Sequence, residues 1–568
     1  MNPPLDLRPR WRAGLALGAL CAWLMLPNVV WLSISHGIAV WTGGLLLPAA
    51  LLILVFALCG RAPWLACLLL APFAAVAPAE AFYICTYLRP SSAQVLASLF
   101  ATNPAESREY LGRLLAPLVA SMFAGVVVAS WAAWSSAGAK LRCHIAGGSA
   151  VAMAMSLVAF LICYGTTGGA AAARLSGAAG ALNGQLETGY PFGMIERLVE
   201  YRQQWLAMRN EAAHLDGFRF KARRTATIPN RQIYVLVIGE SSRRDHWQLF
   251  GYDRATNPEL TREPNLVPIT DMVTSWPESI AAIPMILTRK PPTARWSSLW
   301  HEASVLRAFQ EAGFGTWWIS NQLPIGKFDS PVSVYALEAQ NLQFLRHAAW
   351  SAPGSYDDDL LQPLRAALRS STGDLFIVLH MMGSHQAYDL RYPGSFRQFR
   401  PVKSDAKSRV PLYLRDRNSY DNTILYTDHV LAQVIDALRT SGTVAALWFE
   451  SDHGETLPTA ACPREGHGFG TRSDFRIPTL FWYSDAYAKA FPARVATLRS
   501  NARNRSMSAD TFESLIDMAG VSFPGHDEAR SLFSPGWRYQ PRLVHGPQEA
   551  DFDRATFEPR CEILRVRN

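Results

Sequence analysis

The sequence predicts an N-terminal five-helix transmembrane domain followed by a soluble α/β domain with a mostly parallel central sheet. Three observations carry that expectation. Long apolar stretches are concentrated in the first third of the 568 residues. Arginines and lysines fall in alternate connections between those stretches. Beyond residue 228, short and wholly apolar runs alternate with segments of helical periodicity.

The apolar stretches cover 13–34, 43–60, 63–87, 115–134 and 144–164. A helix crosses a bilayer with roughly 17–25 residues, so all are long enough, or nearly so, the second being the shortest. The first is too long for a cleaved signal peptide, and four more follow it. Arg8, Arg10 and Arg12 precede the first span, Arg61 lies between the second and third, and Lys140 and Arg142 lie between the fourth and fifth. Positive charge stays on the cytoplasmic side. The N-terminus is therefore placed inside and everything after Tyr164 outside, as in a multi-pass protein of the cytoplasmic membrane.

The formal net charge is +8. A basic balance suits nucleic acid, an anionic membrane or acidic substrates. No basic-aromatic cluster of the nucleic-acid-binding kind accompanies it, so membrane lipids are the expected partner and nucleic acid is not. Cys21, Cys59, Cys67, Cys85, Cys143 and Cys163 lie in or beside the spans, where a thiol behaves as a small apolar side chain. Cys462 and Cys561 belong to the outer part, where oxidation is permitted and where they could form one bridge.

Residues 165–183 are rich in Gly and Ala. In 190–208, Ile195, Leu198, Val199, Trp205 and Met208 come near helical spacing among Arg197, Glu200 and Arg202. This is either a helix lying on the membrane surface or a connecting helix packed on the outer domain. The chain divides accordingly into a transmembrane domain (1–164), a linker with bridging helices (165–227) and an outer domain (228–568).

In the outer domain, runs at 233–238 (IYVLVI), 316–320 (TWWIS), 375–380 (LFIVLH) and 444–449 (VAALWF) are continuous β-type runs. That composition suits strands covered on both faces by helices. Segments 300–312 and 420–438 have helical periodicity and lie between them, which makes the sheet mostly parallel. Ligands of such sheets gather beyond the carboxyl ends of the strands. Standing there are Gly239, Glu240, Ser241 and Ser242 after the first run; Gly383, Ser384 and His385 after LFIVLH; and Glu450 through Asp452, His453, Gly454 and Glu455 after VAALWF. A lone Glu240 reads as a surface or capping residue, a lone His385 as a structural one, and Asp452-His453-Gly454 as a turn. Three strand ends delivering carboxylate and imidazole to one rim read instead as a metal site. Those donors suit Zn2+ and are compatible with Mn2+.

The run at 235–260, VLVIGESSRRDHWQLFGYDRATNPEL, resembles the first metal-ligand segment of bacterial phosphoethanolamine transferases, members of the alkaline phosphatase and sulfatase superfamily. SIAAIPMILTR from Ser279, GSHQAYDLRYP from Gly383, YDNTILYTDHVL from Tyr420, SDHGE from Ser451 and GHGFG from Gly466 follow in the family's order. The resemblance implies an alkaline-phosphatase-like catalytic domain in the periplasm, carried by an inner-membrane anchor. It places the metal ligands at Glu240, Asp452 and His453, joined by Ser279 as nucleophile, where the family usually has threonine. Without the resemblance Ser279 reads as an ordinary helix cap, although a helix N-terminus also favours an anionic phosphoryl group. His385 and His467 are implied to hold a second metal or the phosphoryl oxygens and to protonate the leaving group. Thr102, Glu106 and Ser98, the last standing where an asparagine is often found, match headgroup-binding positions, and Lys327 a headgroup-region lysine. His246 reads as structural and His380 as a core residue of its strand.

The implied reaction moves phosphoethanolamine from phosphatidylethanolamine to an envelope acceptor through a phospho-Ser279 intermediate, releasing diacylglycerol. The cofactor is zinc, in one site or two, and the chain is expected to act as a monomer. The lipid A-modifying branch staples its soluble domain with several disulfides, whereas this domain has only Cys462 and Cys561. The acceptor therefore stays open between lipid A, the lipopolysaccharide core and a periplasmic glucan. A sulfatase needs its nucleophile in a C/S-x-P-x-R context, which Cys462-Pro463-Arg464 does not provide. A glycerol-phosphate transferase using phosphatidylglycerol is the alternative enzyme, and a membrane-tethered binding module on a decayed enzyme fold is the non-enzymatic one.

Overall fold

The structure, a computed structural model, describes residues 10–34, 38–87, 90–91, 93, 96, 114–138, 145–166, 174–175, 177–178, 186, 188–226, 228–294, 301–324, 330–346, 356–546 and 548–565. The chain separates into two compact units, Met1–Leu96 with Thr102–Gln203, and Ala97–Ala101 with Gln204–Asn568.

The first unit contains helices α1 (Arg10–Ile34), α2 (Ile38–Leu58), α3 (Pro63–Tyr87), α4 (Leu115–Ser136) and α5 (Ile145–Thr166). Four of them, α1, α3, α4 and α5, are long and apolar enough to cross a membrane, while the described apolar stretch of α2, Gly44–Leu58, is shorter. Their outward faces are apolar: Leu69 is 66% exposed, Phe123 68% and Met153 71%, a surface suited to hydrocarbon rather than water. Small residues sit where helices touch. A Cβ on Gly125 of α4 would lie 2.0 Å from the Ala74 carbonyl oxygen of α3, so only glycine permits that approach. Pro78 lacks the amide that would have bonded this Ala74 carbonyl, and Trp23 Nε1 of α1 donates to it instead, at 2.8 Å.

Helix α6 (Phe192–Leu215) begins two residues into the predicted 190–208 segment and runs beyond it. Arg197 is buried in its first turns, 2.8 Å from Glu80 of α3, and Asn28 of α1 exchanges two hydrogen bonds with the Tyr190 backbone. Its outward side carries Ile195, Leu198, Val199 and Leu206.

The second unit is built on an eight-stranded sheet. Its strands are β1 (Gln232–Gly239), β2 (Leu266–Val273), β3 (Gly315–Ser320), β4 (Asn341–Phe344), β5 (Leu375–His380), β6 (Val444–Ser451), β7 (Arg476–Tyr483) and β8 (Arg505–Met507). In space they run β4-β3-β5-β1-β6-β7-β2-β8. The five from β4 to β6 are mutually parallel, and β7 is antiparallel to both its neighbours. The predicted runs are β1, β3, β5 and β6; β1, β5 and β6 are buried along their whole length. Helix Val305–Glu311 lies within the predicted 300–312. Helix Leu412–Thr440 begins before the predicted 420, because Asp416, Asn418 and Ser419 are buried and bonded into the neighbouring loop. Cys462 and Cys561 form a disulfide, with Cα atoms 5.0 Å apart.

Candidate active site

Strand register positions the site. Gly239 of β1 pairs with Ser451 of β6, and Ile238 pairs with His380 of β5. Level strand ends therefore deliver Glu240, the 381–385 turn and Asp452-His453 to one edge. Ser241 turns the chain out of β1 with a left-handed φ of 54°. Its amide donates to Asp452 Oδ1 at 3.2 Å and its hydroxyl to Glu240 Oε1 at 2.7 Å. The turn after β5 is held against the same residue: the Ser384 amide donates to the Glu240 carbonyl at 2.9 Å. A Cβ at Gly383, where φ is +50°, would meet that carbonyl at 2.7 Å.

Ser279 is the first residue of the helix Ser279–Leu287, whose remaining residues are all buried. The cap position belongs to Glu278, which makes no side-chain capping bond. Ser279 Oγ is instead 3.1 Å from Glu240 Oε2 and 3.2 Å from His453 Nε2. His453 Nδ1 lies 2.8 Å from the Gly454 carbonyl. A carbonyl only accepts, so Nδ1 carries the ring proton and Nε2 presents a lone pair. That nitrogen is 3.4 Å from Glu240 Oε1 and 3.5 Å from Asp452 Oδ2.

Counting protons decides what such a cluster can hold. Glu240, Asp452 and His453 are buried, and their ligand atoms lie within 4.8 Å of one another. The Ser279 hydroxyl has a single hydrogen for two acceptors, and among the described residues Asp452 Oδ2 meets no donor. Lone pairs facing lone pairs in a dry site are costly. Burial, and then the neighbouring Asp452 charge, push the Glu240 carboxyl well above its ordinary range. A cation removes the conflict. Tetrahedral bonds of about 2.0–2.1 Å put neighbouring ligands about 3.3–3.4 Å apart, close to the 3.1–3.5 Å separations seen here. The donor set of two carboxylates, one imidazole and one hydroxyl fits a divalent metal such as zinc.

A family model described as Sulfatase matches residues 232–521. The chain belongs to the sulfatase family. Among relatives of this sulfatase-family chain, the phosphoethanolamine transferase EptC of Escherichia coli K12 is 27% identical over 385 residues, which cover 64% of each protein. The chain thus spans less than two thirds of that relative's length. The phosphoethanolamine transferase CptA of Salmonella typhimurium is 26% identical over 94% of each chain. The crystal structure of the C-terminal periplasmic domain of E. coli EptC, in complex with Zn, matches with a TM-score of 0.54 and 26% identity, covering 61% of this chain and 99% of that one.

Around the sulfatase-family cluster, the His467 ring is tilted 44° to the His453 ring with centroids 4.3 Å apart, and its Nδ1 stands 3.2 Å from Glu455 Oε2. Its ring centroid is 5.9 Å from that of His385. Ser279, His385 and His467 all line a cavity of about 370 Å3. Thr102, Glu106, Ser98 and Lys327 lie outside the described residues. His246 is bound to Asp421 at 2.6 Å. His380 is buried, as a core residue should be, but it also lines the cavity, and among the described residues its Nε2 meets no partner. Burial lowers its pKa to about 4.

The sequence places Ser241 and Glu455 at the strand ends but assigns them no role. Ser241 bonds both carboxylates, and Glu455 accepts from Tyr388 at 2.6 Å while facing His467. The signal available for Glu455 was its place three residues beyond Asp452; for Ser241 it was adjacency to Glu240.

Proposed function

We propose that this chain is a membrane-anchored phosphoethanolamine transferase. It moves phosphoethanolamine from phosphatidylethanolamine to an envelope glycan or lipid acceptor, such as lipid A, the lipopolysaccharide core or a periplasmic glucan. The observation that carries the reading is the Ser279 hydroxyl at a helix N-terminus, 3.1 Å from Glu240 and 3.2 Å from His453. Relatives named for phosphoethanolamine transfer support the choice of group, and the Zn complex of the EptC domain supports the choice of metal.

In this reading Glu240, Asp452, His453 and Ser279 would hold zinc, which would favour the ionised form of the serine hydroxyl. Ser279 Oγ attacks phosphorus in line. A P–O bond to Ser279 forms, and the bond to the diacylglycerol oxygen breaks. His385 and His467, on the cavity wall, steady the phosphoryl oxygens and give the departing diacylglycerol its proton. The acceptor hydroxyl then attacks the phospho-Ser279 ester, losing its proton to a histidine, and Ser279 Oγ leaves. This is double displacement through a covalent intermediate. The N-terminus of the Ser279–Leu287 helix favours the anionic group throughout.

The anchor is read as five spans over 1–164 with the catalytic domain, 228–568, in the periplasm and 165–227 bridging them. Thr102, Glu106, Ser98 and Lys327 are proposed to bind the headgroup, and the chain to act as a monomer. The test is mass spectrometry of the Ser279 peptide after incubation with phosphatidylethanolamine. A phosphoethanolamine adduct is expected; a phosphoglycerol adduct formed only from phosphatidylglycerol would favour the glycerol-phosphate alternative, and no adduct from either lipid would refute the nucleophile.

A further inference from the structure

Much of the basic charge lies in one segment of the second unit. Residues 391–417 contain eight arginines and lysines, Arg391, Arg397, Arg400, Lys403, Lys407, Arg409, Arg415 and Arg417, against Asp405 and Asp416. That is 8 − 2 = +6 in a chain whose net charge is +8. The segment is a hydrogen-bonded loop that runs into the first turns of the helix Leu412–Thr440, where Arg415 and Arg417 lie. Asn422 Oδ1 accepts the amides of Gln398 and Phe399 at 3.0 and 2.8 Å, Asp389 accepts the Ser404 amide at 2.8 Å, and Arg415 donates to the carbonyls of Lys403 and Asp405.

Some of these cations are internally used. Arg391 is buried, Arg397 pairs with Asp405 at 2.6 Å, and Lys403 pairs with Asp416 and Glu465. Arg400, Lys407 and Arg409 are exposed, and among the described residues none of them forms an ion pair. They flank Lys403 in sequence, and Lys403 ties the loop to the cavity through Glu465. Its partner Glu465 stands two residues before His467, and the Glu465 carbonyl accepts from Gln386 at 3.3 Å. Both Gln386 and His467 line the cavity that contains Ser279.

We propose that this loop is the acceptor-recognition surface, and that Arg400, Lys407 and Arg409 select a glycan bearing several phosphate or carboxylate groups. The inference rests on the transferase reading above and narrows its acceptor away from uncharged sugars. A hydrogen-bonded loop holding unneutralised guanidinium and ammonium groups at a reaction mouth raises the local concentration of anionic partners and fixes their orientation. Arginine suits the role through bidentate contact with phosphate and carboxylate.

The test combines Arg400→Gln, Lys407→Gln and Arg409→Gln in the full chain, in zwitterionic detergent with zinc present. The probes are a bisphosphorylated glucosamine disaccharide and its dephosphorylated counterpart. Binding of the fluorescently labelled bisphosphorylated probe, which needs no turnover, should weaken about tenfold or more, and binding by the unaltered chain should fall as salt is raised. Transfer to that probe should show the same change in KM with kcat kept. The dephosphorylated probe and diacylglycerol release from phosphatidylethanolamine should be unaffected. Equal affinity of the two proteins for the bisphosphorylated probe overturns the proposal, as does an equal loss in diacylglycerol release, which would assign the loop to the lipid surface. Absence of a Ser279 adduct strikes the transferase reading alone, because the binding experiment still decides for or against the loop.

Discussion

Asp421 and Asp452 are both fully buried and each stands beside a histidine, yet their surroundings are opposite. Around Asp421 every contact is donor to acceptor. Oδ1 is 2.6 Å from His246 Nδ1, while Oδ2 accepts from Tyr252 at 2.9 Å and from Arg254 at 2.7 Å. Arg254 supplies the counter-charge from within the chain. Around Asp452, Oδ1 takes the amides of Ser241 and His453 at 3.2 and 2.7 Å, but among the described residues Oδ2 has no donor. The His453 nitrogen nearest to it also offers a lone pair. The first cluster is electrostatically complete and belongs to the fold. The second lacks that donor, and a cation from outside would complete it. Aspartate beside histidine does not by itself mark a site; lone pairs converging without protons do.

The largest effect expected from breaking this contrast is on chemistry. Ser279→Ala should lower transfer by about 10⁴-fold, while zinc per chain, measured by elemental analysis, stays close to that of the unaltered protein because Glu240, Asp452 and His453 remain. Asp421→Ala should do the reverse. It strands Arg254 and His246 without their carboxylate, which should cost about 3–5 kcal/mol in denaturant unfolding of the outer unit, with zinc content of the folded fraction unchanged. Loss of zinc from Asp421→Ala would erase the distinction between the clusters. A smaller effect sharpens it: Ser241→Ala removes the hydroxyl bonded to Glu240 Oε1 and leaves every ligand in place. Competition with a chelator should then show zinc affinity reduced by about tenfold.

Much of this was readable before any coordinates. The parallel core was legible because β1, β5 and β6 are buried on both faces and so spell unbroken apolar runs, and strand ends then pointed to Glu240, His385, Asp452 and His453. Strands β2 and β7 were not read. Each carries a proline, Pro268 and Pro478, and β2 interposes Asp271, which interrupts the apolar signature of a buried strand. Ser279 was legible only through the resemblance. From local sequence it reads as a cap, and the structure instead puts Glu278 in the cap position and turns the hydroxyl toward Glu240 and His453. Only the tertiary fold reveals that, since Ser279 and His453 are 174 residues apart. The same holds for the difference between His246 and His453. Both are histidines beside aspartates in the fold, and what separates them is the partner of Nδ1: in His246 it faces the Asp421 carboxylate, whereas in His453 it is spent on the Gly454 carbonyl and Nε2 is left facing Asp452.

The measurement that tests the central claim most directly is an anomalous difference map at the zinc edge from crystals of the full chain grown with zinc. The account predicts a strong peak enclosed by Glu240, Ser279, Asp452 and His453, about 2.0–2.2 Å from each ligand atom, and none beside Asp421 and His246. A map with no peak between those four side chains, or with zinc bound at Asp421 instead, would contradict it.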